Sequence, residues 1–79
     1  MKIPAIKKAV ENYTVAQLQQ AEAALLEEQP LPIEIEGVDE GEKLTHILAA
    51  LFVKEEIANG NDLMTAVRAY SQRVRNSIS

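Results

Sequence analysis

The run Ile47-Leu48-Ala49-Ala50-Leu51-Phe52-Val53 sets seven apolar residues in succession, and it limits the possible folds more than any other feature of the chain. At helical periodicity such a run points in every direction around the axis, and a helix that is apolar nearly all round is buried on more than one face. Its ends are marked. Asp39 with Glu42 three residues later is a capping-box pattern, and Asp39, Glu40 and Glu42 put negative charge where the helix dipole favours it. Gly60 suits the left-handed residue that closes many helices. The chain is expected to build around this helix. Leu44, Ile47, Leu48, Leu51 and Phe52 are read as its main face, and Ala49, Ala50 and Val53 as a small-residue flank able to admit a close neighbour.

The flanking segments read as further helices. Ile3, Ile6, Val10 and Tyr13 recur at helical spacing, with Pro4 in the first turn, where a missing N–H costs nothing. Thr14 and Gln17 form a second capping box, with Tyr13 before the cap and Leu18 at the fourth helical position as a staple, so a helix is expected from Val15. Pro30 should stop it near Glu28 or Gln29. Beyond Gly60, Asn61 or Asp62 can cap a last helix, in which Leu63, Val67, Tyr70 and Val74 share one face while Arg68, Gln72 and Arg75 lie opposite.

Between the second and third helices, Pro30-Leu31-Pro32 forces extended backbone and Ile33-Glu34-Ile35-Glu36 alternates apolar with acidic residues until Gly37. This reads as one short strand, with no other segment of comparable alternation to pair with. Its backbone groups can be satisfied by water, by lying along a helix, or by antiparallel pairing with a second copy; the last is preferred. The fold class is therefore mainly α, four helices with one short extended strand between helices 2 and 3, in a single small helical domain spanning 1–79.

A chain of this size buries only about 60% of its unfolded surface, and lacking cysteine it has no covalent staple. A homodimer is the expected remedy. Its interface, or that of a partner, is assigned to Ile33, Ile35, Ala49, Ala50, Val53 and Met64. The absence of cysteine also excludes thiolate metal sites and thiol redox chemistry. No apolar run approaches the ~18 residues that span a bilayer, and the start lacks a secretory signal, so a cytoplasmic location and no membrane partner are expected.

Charge is unevenly spread. Residues 1–20 carry +2, residues 21–44 carry −7 and residues 45–79 carry +1, for a net −4. That balance disfavours nucleic acid, which needs local positive charge. The alternative reading is nucleic-acid binding through the helix 3-turn-helix 4 unit, using Arg68, Gln72, Arg73 and Arg75. Against it, the N-terminal turn of the last helix offers Asp62, Leu63, Met64 and Thr65, where base contacts would be needed.

Glu42 and His46 lie four residues apart on one helix and are two ligands, fewer than the three a catalytic zinc normally requires. His46 is expected at the surface or an interface. No catalytic residues, metal or cofactor are assigned, and the chain is read as a non-enzymatic protein-interaction or accessory module.

The start Met1-Lys2-Ile3-Pro4, the stretches from Glu27 to Glu34 and from Gly41 to His46, and the final Arg73-Val74-Arg75-Asn76 carry a likeness over the whole chain. On these residues it resembles a family of small bacterial helical proteins, a domain of unknown function. The resemblance implies no catalytic residues. It suggests an accessory partner, a thioredoxin-like or peroxide-detoxifying protein, engaged without a thiol of this chain.

Overall fold

The structure is a computed structural model, and it describes residues 3–78. It is mainly α: α1 (Ile3–Asn12), α2 (Val15–Leu26), α3 (Glu40–Ala58) and α4 (Leu63–Ile78). The side chains of Val74, Asn76, Ser77 and Ile78 lie outside the described part.

α1, α2 and α4 each pack on α3, as the all-round apolar run requires. The helix is turned differently from the expectation. Its buried face is His46, Ile47, Ala49, Ala50 and Val53, while Leu48 is 42% exposed and Leu44, Leu51 and Phe52 are half-buried. The alanines are the centre rather than the flank. The separation of packed helices depends on the side chains between them, and small ones let two neighbours approach the same helix closely. Ile6, Ala9 and Val10 of α1 and Leu18 and Ala21 of α2 complete this core. α4 adds Ala66 and Val67, and its Tyr70 ring meets Phe52 with centroids 5.4 Å apart and planes tilted by 55°.

Local signals set the helix ends. At α2 both halves of the Thr14/Gln17 box form: Thr14 Oγ1 accepts the Gln17 N–H at 3.2 Å, and Gln17 Oε1 accepts the Thr14 N–H at 2.8 Å. At α3 Asp39 Oδ1 accepts the Glu42 N–H at 2.8 Å, but the reciprocal half is not made, and Glu42 Oε1 is buried without a hydrogen-bond partner. α3 ends in a Schellman arrangement, with Gly60 at φ 103°, the Gly60 N–H bonded to the Ile57 carbonyl and the Asn61 N–H to that of Glu56.

α2 stops at Leu26, one turn earlier than Pro30 alone would dictate, through the same motif. The Glu28 N–H bonds the Leu25 carbonyl and the Gln29 N–H that of Ala24, and this places Glu28 at φ 57°. A residue with a Cβ is strained there. Glu28→Gly is expected to raise stability by about 1 kcal/mol in urea unfolding. No gain would mean that α2 does not end this way.

The short strand is not seen; among the described residues there is none. Residues 33–37 form no regular element and lie along the helices of their own chain, and side chains do what a ladder would have done. The Tyr13 hydroxyl donates to the Glu34 carbonyl at 2.9 Å, and His46 Nδ1 lies 2.7 Å from the Glu36 carbonyl. The alternation still has its use: Ile35 is buried and Ile33 half-buried, with Glu34 and Glu36 facing out. Within the chain, Ile33 and Ile35 are thus covered by its own helices.

Candidate functional site

His46 was expected at the surface or an interface, and it is wholly buried within its own chain. It shares the inward face with Ala49, Ala50 and Val53 at helical spacing, and its Nδ1, facing a carbonyl, must carry the proton and donate. The imidazole is a clasp between α3 and the 33–37 segment. Among the described residues no three His, Cys, Asp or Glu side chains group to hold a metal ion.

The six interface candidates separate by burial. Ala49, Ala50 and Val53 are fully buried and Ile35 nearly so, all covered by their own chain. Ile33 is half-buried, and Met64 is 46% exposed. The basic candidates separate as well. Arg73 is turned toward α3, its guanidinium carbon 5.6 Å from the centre of the Phe52 ring, a cation–π contact. Arg68, Gln72 and Arg75 instead line a groove with Met64.

That groove, of about 370 Å³, runs between the start of α1 and the length of α4. Its apolar surface comes from Ile3, Met64 and Val67, spaced so that Met64 and Val67 succeed one another on α4 while Ile3 faces them. Ile3 is 42% exposed, an apolar side chain left partly uncovered beside two arginines. Ser71 also lines the groove, and its hydroxyl is buried without a hydrogen-bond partner. The arginines arise from the polar face of α4, Arg68 and Arg75 seven residues apart and hence on one side of the helix. In a chain of net charge −4 this is a basic rim around an apolar floor.

At the head of α4, Asp62 Oδ1 accepts the Thr65 N–H at 2.7 Å. The backbone N–H of Thr65, then its side chain, and the charge of Arg68 hold the Asp62 carboxyl below the usual carboxylate range. A lowered folded pKa means that the cap's contribution is present above that range and is lost as pH falls through the folded value. The stability difference between wild type and Asp62→Ala is expected to be constant near neutral pH and to shrink on acidification. A difference unchanged down to full protonation would contradict it.

A second groove, of about 460 Å³, lies where α1, α2, α3 and α4 meet, with Val10, Val15, Ile57 and Leu63 as its apolar part. One acid and one base, Glu11 and Lys54, border it, so it has no preferred sign.

The fold and its groove define a small helical protein organised on one central helix, with a basic-rimmed apolar cleft at its edge. The chain belongs to a family of unknown function (DUF6952), which matches residues 1–79. No characterised protein and no solved structure matches it. No helix among the described residues is long and apolar enough to cross a membrane.

Sequence reasoning singled out Met64 as an interface residue and Arg68, Gln72 and Arg75 as a polar face, but did not join them. Ile3 was read only as part of a helical stripe. The missing information was the placement of α1 beside α4, for which no local signal exists.

Proposed function

We propose that the protein is a non-enzymatic interaction module of the cytoplasm that docks an acidic protein segment bearing an apolar side chain in the α1/α4 groove. The observation that carries this is the combination of Ile3, Met64 and Val67 on the floor with Arg68 and Arg75 at the rim. Apolar contact gives such a site its affinity, and the arginines select sign and register. A nucleic acid would use the arginines alone and leave the apolar floor without a purpose.

The test is fluorescence anisotropy with a labelled peptide that alternates paired glutamates with leucine. Binding is expected, with a loss of affinity of about tenfold or more, roughly 1.4 kcal/mol, in the R68E/R75E variant. Salt should weaken it, since the rim is exposed. A matching lysine peptide should not bind. Binding of random duplex DNA in place of the acidic peptide, abolished by the same substitutions, would replace this reading by the nucleic-acid one.

A further inference from the structure

We infer that the segment seated in the α1/α4 groove is the 36–40 loop of a second copy of this chain, with Val38 on the apolar floor and Glu36 and Glu40 facing Arg68 and Arg75. This rests on the interaction-module reading and names its partner.

Val38 is 81% exposed, the most uncovered of the large apolar residues described, and it directly precedes Asp39, the N-cap of α3. Its neighbours Glu36, Asp39 and Glu40 are exposed acids. The Asp39 carboxylate is engaged in capping α3, which leaves Glu36 and Glu40 as the charges flanking the valine on either side. An apolar tip between two acids is the chemical complement of an apolar floor between two arginines.

The loop is also held in place. His46 Nδ1 is bonded to the Glu36 carbonyl and the Tyr13 hydroxyl to that of Glu34, on one side of Val38, and Asp39 caps α3 on the other. Between them Gly37 lies so close to α3 that a Cβ there would stand 2.7 Å from Lys43 Cγ and 2.9 Å from the Lys43 amide nitrogen. A side chain presented on backbone that is already ordered loses little freedom on docking. The buried clasp around His46 thus has a consequence at the surface: it aims Val38 outward.

The occupant is a second copy because Val38 is not seated in its own chain and because the chain's charges are segregated. Copies of net charge −4 repel at long range, yet the acidic block and the basic rim are attractive faces for one another. Each copy carries both the Val38 loop and the α1/α4 groove. Two reciprocal contacts close a symmetric pair, and a non-closing geometry continues head to tail; the mass in solution distinguishes these.

The experiment is light scattering on the full chain from micromolar to millimolar concentration, with circular dichroism to show that each variant is folded. Wild type is expected to rise from 8.7 kDa toward twice that mass or beyond. V38D, E36K/E40K and R68E/R75E are each expected to remain single chains under the same conditions. The variant carrying all four charge reversals restores opposite signs and is expected to associate again, a result that simple damage to the fold cannot produce. Wild type that stays at one chain throughout, or V38D that associates as wild type does, overturns the inference. If either occurs while the glutamate/leucine peptide still binds, the groove remains a docking site for another protein; if the peptide also fails, both readings fall together.

Discussion

Replacing His46 by alanine is expected to lower the stability of the folded chain by about 2–5 kcal/mol, among the largest effects of any single substitution. Two losses combine. The imidazole is wholly buried on the inward face of α3, so its removal opens a cavity in a small core. Its Nδ1 is also the donor at 2.7 Å to the Glu36 carbonyl, which would lose that partner. His46→Phe avoids the cavity, placing a somewhat larger ring there and removing the donor, and it should cost about 1–3 kcal/mol. Urea unfolding measures both. Amide exchange at Gly37 and Val38 should quicken in each variant, because the clasp on the loop is gone. A loss below about 1 kcal/mol for the alanine variant would mean that the 33–37 segment is not held by this side chain.

The second large effect concerns the orientation of α3. Ala49→Leu or Ala50→Leu is expected to destabilise by about 1–3 kcal/mol, since each residue is fully buried where neighbouring helices approach α3. Leu48→Ala, on the outer side and 42% exposed, should cost less than about 1 kcal/mol. On hydrophobicity alone the order would be reversed, because leucine to alanine removes apolar volume and alanine to leucine adds it. Thermal melts of the three variants decide the matter. A larger loss for Leu48→Ala than for either alanine substitution would turn α3 back to the face expected from its leucines.

These two cases mark how far the sequence could be read. Helix starts were legible because their causes are local: Thr14 with Gln17, Asp39, and Asp62 each bond a backbone N–H three residues on. Gly60 announced the end of α3 for the same reason. Glu28 did not announce the end of α2, because a glutamate at positive φ has no signature in the sequence. The phase of α3 was hidden by the very run that revealed its centrality, since seven adjacent apolar residues leave every face equally apolar. The 33–36 segment has the alternation of a strand, and its solvent and core faces are as expected. What closes its hydrogen bonds is distant, Tyr13 lying 21 residues from Glu34 and His46 lying 10 from Glu36. The groove was half legible. Arg68, Gln72 and Arg75 and the exposed Met64 could be picked out along α4, but Ile3 joins them only through the packing of α1, which is tertiary information.

The most direct measurement of the proposed site is a map of amide chemical shifts in ¹⁵N-labelled protein as the glutamate/leucine peptide is added. Shifts are expected along α4 from Met64 to Arg75 and at the start of α1 around Ile3, and the second groove around Val15 and Ile57 should stay unchanged. Shifts confined to that second groove or to the outer side of α3 around Leu44 and Leu48, or no shifts at all, would contradict the assignment of the α1/α4 groove as the docking site.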